Sequence, residues 1–244
     1  MPIIYLSPST QDWNEYVTGG SEEYHMNLFA DALEPYLRAS GIQFVRNTPD
    51  MTAVSSIRAS NAGNYDLHLA LHSNAAPEGR YGTVRGSEIY YAPNSIRGQR
   101  AANFVAENIR DIYPDPNLVR IIPTTSIGEV RQTRAPAVFV ELAYHDNEED
   151  AEWILENMDA AARAIALGLT EYFNIPFVQP ITPRTGTVTL TSGSLNIRSG
   201  PGMNAPIISR AYNGEQVTIY GQLGDWYSIR HGDTSGFVHR AYIR

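Results

Sequence analysis

Three residues stand where apolar patterns leave no ordinary place for them. Glu141 sits inside PAVFVELAY, a run of strand formers at residues 136–144. A carboxylate buried there without a partner costs several kcal/mol, so Glu141 is paired, protonated or beside a cation. His72 closes YDLHLALHSNA, in which Leu67, Leu69 and Leu71 alternate with His68, Ala70 and His72. In an α/β sheet, a strand that breaks into His-Ser-Asn at its carboxyl end stops where such sheets hold ligands. His68 shares that face, but four residues at about 3.3 Å each put it roughly 13 Å from His72, too far for one metal ion to bind both. Glu23 falls on the stripe Met26, Ala30, Leu33 and Leu37 of a helical pattern that follows Ser21 and is closed by Gly41. A carboxylate in a first turn also complements the positive helix end, so both roles stay open for Glu23. His25 lies about 200° further round and reads as a surface or internally satisfied histidine.

Glu23, His72 and Glu141 come from three separate elements that would meet at the carboxyl edge of one sheet. Glu23 and His72 suit zinc ligation and Glu141 suits a general base, a combination in which a metal lowers the pKa of its water to about 7 and a carboxylate takes the proton. The rival hydrolase signatures, G-x-S-x-G and H-E-x-x-H, do not occur. Arg131, in the loop-like GEVRQTRAP ahead of the last strand, is a candidate contact for a substrate carboxylate or oxyanion, with a surface salt bridge as its alternative. The acidic DNEED after Tyr144 reads as a helix cap and first turn, which leaves His145 open.

The elements that must position these residues alternate between strand and helix up to Phe173, which predicts an α/β catalytic domain on a mixed sheet over residues 1–174. NIPFVQPITPRTG carries three prolines and no helical period. Residues 175–186 are accordingly expected to be a linker. From residue 187 to 244, short alternating segments punctuated by glycine turns predict a small all-β, SH3-like barrel. The chain has 244 residues, a formal charge of -8 and no cysteine. Disulfides, thiolate sites and a cysteine nucleophile are excluded, and the acidic balance argues against nucleic acid as a partner. No apolar run approaches the roughly 20 residues of a membrane span, and IIYL begins too early for a secretory leader.

The segments EEYHMN, YDLHLALHSNA, GSEIYYA and PAVFVELAYHDNEEDAEWI, in this order, resemble the zinc-dependent N-acetylmuramoyl-L-alanine amidases that cleave bacterial peptidoglycan. The resemblance implies zinc as cofactor, Glu23 and His72 as ligands, Glu141 as acid/base, and peptidoglycan, glycan strand and stem peptide, as partner. LNIRSGPG, GDWYSIR and GFVHRAYI look like a bacterial SH3 domain, which implies binding to the cell wall. Together they imply an extracellular or wall-associated place of action, with release by lysis or earlier processing. One position departs from the family: Thr10 stands where its first zinc-binding histidine falls. The third ligand is then His145, at the strand-to-helix turn, or Asp12, or is missing. A catalytically inactive wall-binding protein with an incomplete metal site is the alternative function.

Overall fold

The computed structural model describes residues 1–244. The chain opens with β1 (Ile3–Pro8), α1 (Glu22–Ala39), β2 (Gln43–Arg46), α2 (Ala53–Ala62), β3 (Leu67–Asn74), β4 (Ser87–Tyr91) and α3 (Ile96–Arg110). It continues with β5 (Val119–Pro123), α4 (Gly128–Arg131), β6 (Ala137–Tyr144), α5 (Glu148–Glu156) and α6 (Met158–Phe173). The strands form one mixed sheet in the order β2-β1-β3-β6-β4-β5. β1, β3 and β6 run parallel, whereas β4 is antiparallel to β6 and parallel to β5. The carboxyl ends of β1, β3 and β6 therefore lie side by side, as the sequence predicts.

Strand alternation sorts the residues between the faces. Leu67, Leu69 and Leu71 share one face with Ile4, Leu6, Val138 and Val140, all buried. His68, Ala70 and His72 share the other with Phe139 and Glu141, where Val130 of α4 packs on Ala70 and Phe139. Every residue from Leu67 to Ser73 is buried, as expected of a central parallel strand covered on both sides. Behind the sheet α3 and α6 cross closely at Gly168, where a Cβ would meet the Phe104 carbonyl oxygen at 2.7 Å.

The helix ends follow their sequence signals. Ser21 Oγ accepts from the Tyr24 amide at the start of α1, and Gly41, with φ +78°, turns the chain out of it. Asn147 caps α5, and Glu148, Glu149 and Asp150 form the acidic first turn expected of DNEED.

The chain divides into two compact units, one of Ile3–Leu33 with Phe44–Phe173 and one of Met1–Pro2, Glu34–Gln43 and Asn174–Arg244. The second contains β7 (Pro180–Thr187), β8 (Ser194–Arg198), β9 (Ile207–Tyr212), β10 (Gln216–Leu223), β11 (Trp226–His231) and β12 (Thr234–His239). They form an antiparallel sheet in the order β7-β10-β11-β12-β8-β9 around Leu195, Ile197, Val217, Ile219, Ile229 and Val238. The expected linker is corrected here. Only residues 174–179 lack regular structure, and Pro180 begins a strand paired with β10. Its two prolines are tolerated because β7 is an edge strand, where a missing amide donor breaks no ladder.

Candidate functional site

The strand register builds the site directly. His72 on β3 is paired with Glu141 on β6, and Glu141 with Glu88 on β4, so the three side chains stand in one row on one face. The row ends at the carboxyl edge of the parallel strands, under the loop that joins β1 to α1. His72 is buried and its ring stacks on Phe139 with centroids 4.1 Å apart.

The carboxylate that reaches His72 from α1 belongs to Glu22, a correction to the expected Glu23. Glu22 Oε1 lies 2.7 Å from His72 Nδ1, and Glu22 Oε2 accepts from Asn14 Nδ2 at 2.7 Å. Glu23 is only half-buried and takes no part in these bonds. The reason is the width of the buried arc. Judged by Met26, Ala30, Leu33 and Leu37 alone, the two glutamates are equally placed at about 100° per residue. Phe29 and Tyr36 are also buried, and they move the centre of the arc to within about 25° of Glu22 and about 75° from Glu23.

The other nitrogen of His72 faces a residue that sequence reasoning missed. Glu129 Oε2 lies 3.2 Å from His72 Nε2, while its Oε1 meets His68 Nε2 at 3.1 Å and accepts from Ser7 Oγ at 2.5 Å. One carboxylate thus ties both histidines of the strand, and Ser60 Oγ completes His68 at Nδ1, 3.0 Å away. Burial opposes charge on Glu129, but the bonds to His68 and His72 outweigh it and hold the carboxyl far below its ordinary range. Burial likewise opposes the charge on Glu22, whose pKa His72, Asn14 and Ser9 keep low. Burial disfavours a charged His72 ring, yet Glu129 and Glu22 together raise its pKa to about 10.

Glu141 is the exception. Its Oε2 is buried with no hydrogen-bond partner. Burial pushes its carboxyl up to about 8, the His72 charge pulling it back and Glu22 and Glu88 adding to the rise. Neighbouring Glu88 is fully engaged, accepting from Asn74 Nδ2 at 3.1 Å, Tyr144 Oη at 3.2 Å, Tyr90 and Arg120. Its proximity adds to the rise at Glu141, after burial and Glu22.

His145 does not join this cluster. Between His72 and Asn74 the register slips, so that Asn74 pairs with Tyr144 and β6 carries one residue more than β3. The bulge reverses the side-chain alternation beyond Glu141. His145 instead donates from Nδ1 to the Ser73 carbonyl oxygen at 2.9 Å and stacks on Tyr16, and burial lowers its pKa. His25, also against Tyr16, bonds the Gly19 carbonyl oxygen through Nε2. Asp12 is exposed in the loop before α1. Arg131 ends α4, exposed, and lines a separate cleft with Arg97 and Arg134. Beside His72 and Glu129 opens another cleft of about 250 Å³, bordered by Thr10, Gln11 and Trp13.

The donor set bears on whether a metal suits this place. Glu22 and His72 present a carboxylate oxygen and a ring nitrogen to each other, and Glu129 holds the opposite nitrogen as an outer carboxylate does for a metal-bound imidazole. The orphaned oxygen of Glu141 lies on the adjoining strand. Glu22 and His72 are ligand types that suit zinc, but they supply two donors, and no group of three or more His, Cys, Asp or Glu is arranged to hold a metal ion.

Comparison with known proteins bears on the family and the fold. A family model described as N-acetylmuramoyl-L-alanine amidase matches residues 9–171, and one described as bacterial SH3 domain matches residues 193–244. The fold is similar to that of the amidase AmiC2 of Nostoc punctiforme, at 18% identity and TM-score 0.62, over 71% of this chain and 97% of that one. The catalytic domain of CwlV from Bacillus (Paenibacillus) polymyxa var. colistinus matches at 17% identity and TM-score 0.61, over 72% of this chain and all of that one. The catalytic domain of the CD27L endolysin, targeting Clostridia difficile, matches at 18% identity and TM-score 0.58, over 70% and 98%. A 59-residue stretch, 24% of this chain, is 37% identical to bacteriocin BCN5 of Clostridium perfringens, but spans only 7% of that protein.

Proposed function

The chain belongs to the N-acetylmuramoyl-L-alanine amidase family, and from that premise we propose that it is a zinc-dependent peptidoglycan hydrolase that cleaves the amide between N-acetylmuramic acid and the first L-alanine of the stem peptide. The observation that carries the reading is Glu141, a carboxylate with one oxygen buried and without a partner and a pKa raised to about 8, one strand from the Glu22–His72 pair. Glu22 and His72 hold the metal, and Glu129 orients the His72 ring. Zinc, when bound, supplies a Lewis acid for the scissile carbonyl and for water. Glu141 takes the proton of the attacking water and returns it to the leaving amine, a transfer suited to a carboxyl poised near the working pH. The bacterial SH3 module holds the enzyme on the wall, so that the chain acts at the cell wall or outside the cell.

Glu141→Gln keeps the shape and removes the base. Lysis of purified walls is expected to fall about 100-fold or more while zinc content stays at the parent level. Near-parental lysis by this variant removes Glu141 from the mechanism. A parent that binds walls but hydrolyses nothing supports instead the inactive wall-binding protein.

A further inference from the structure

His72 Nδ1 faces two neighbours whose demands conflict. Glu22 Oε1, an acceptor, lies 2.7 Å away, and Gln11 Nε2, a donor, lies 3.3 Å away. A proton on Nδ1 satisfies Glu22 and opposes the Gln11 amide; its absence satisfies Gln11 and sets two lone pairs against each other at Glu22. Turning the Gln11 amide end for end removes the conflict and gives up its bond from Asn14 Nδ2. It would bring the amide oxygen, the carboxylate oxygen and the ring nitrogen to one point, where either a proton on Nδ1 or a cation completes the set. With Glu129 accepting at Nε2, Nδ1 is the nitrogen turned toward Glu22 and Gln11 and the one available as a donor atom once it carries no proton.

The backbone holds Gln11 in place for this. Its amide nitrogen bonds Ser9 Oγ at 3.3 Å, and its carbonyl oxygen accepts from the Glu23 amide at 3.2 Å, which ties the loop to the first turn of α1. Asn14 Nδ2 spans the gap between Gln11 Oε1, at 3.3 Å, and Glu22 Oε2, at 2.7 Å. Thr10, at the position of the family's histidine, only borders the adjoining cleft.

Resting on the zinc reading above, we propose that Gln11 replaces the missing histidine as the third protein ligand, through its side-chain oxygen. Three protein ligands leave one position of a tetrahedral site for water. A neutral amide oxygen is a weaker zinc ligand than an imidazole, so the site binds zinc less tightly than one with two histidines and a glutamate.

The test is zinc affinity, by competition with a chromophoric chelator, together with the visible spectrum of the cobalt-substituted full-length chain. Gln11→Leu should weaken zinc binding at least about tenfold and change the cobalt bands, and Gln11→His should tighten it at least about tenfold. Thr10→Ala and His145→Ala should match the parent. Parental affinity and spectra in both Gln11 variants overturn the assignment while leaving the zinc reading intact. A parent that takes up neither metal overturns both. The histidine variant protects the test against simple misfolding, because damage to the loop cannot raise affinity.

Discussion

A carboxyl held at a pKa of about 8 against an ordinary 4.5 leaves a measurable mark on stability in the metal-free protein. Between those two values folded Glu141 keeps a proton that the unfolded chain has released, so stability falls as pH rises. The contribution is fully present below the unfolded value and is lost as pH climbs through about 8. The span amounts to on the order of 5 kcal/mol. Glu141→Gln cannot titrate, so it removes this slope while occupying the same space. Urea unfolding of parent and variant in the presence of chelator, repeated from about pH 5 to about pH 9, reads the difference directly. The two proteins should be similar near pH 5. By pH 9 the variant should be the more stable by several kcal/mol, equivalent to a melting temperature higher by roughly 2–4 °C per kcal/mol. Comparing the two cancels the titration of groups they share. Parallel profiles across the range would show that Glu141 is ionised in the folded chain and refute its assignment as a carboxyl kept protonatable by burial.

Glu129→Gln loses the charge that fixes the His72 ring and should weaken zinc binding about 10- to 100-fold, measured by chelator competition. Asp150 is buried and accepts from Tyr113 Oη at 2.5 Å, Arg85 Nε at 3.1 Å and the amides of Gly86 and Tyr144 at 2.9 and 3.0 Å. Asp150→Ala should therefore lower stability by roughly 3–5 kcal/mol in urea unfolding. Tyr242 lines a cleft of the SH3 module with Trp226, His239 and Arg198. Tyr242→Ala should reduce sedimentation with intact walls several-fold and leave hydrolysis of soluble muropeptides at the parental rate.

The parts of the site carried by long, regular elements are legible in the amino-acid sequence. Two-residue alternation in β3 and β6 puts His72 and Glu141 on one face, and the parallel arrangement makes them neighbours. Features that depend on a single residue of register are not. Glu22 and Glu23 differ only in whether Phe29 and Tyr36 count toward the buried arc, and the bulge that turns His145 away has no glycine or proline to announce it. Glu129 sits in a four-residue helix too short to show a period. Its one trace is the unanswered need of two buried histidines for an acceptor. Gln11 gives no signal, because a glutamine in a loop is ordinary until its neighbours are known. The proline-bearing β7 passes for a linker because its place at the sheet edge, which permits prolines, is decided by tertiary pairing.

The central claim is the identity of the bond that is cut. Purified peptidoglycan digested with the zinc-loaded chain should gain free amino groups, identified by dinitrophenylation as N-terminal L-alanine, with no matching rise in reducing sugar ends, and the gain should vanish with Glu141→Gln. Reducing ends appearing in place of alanine amino groups, or alanine release undiminished in the Glu141 variant, would contradict the account.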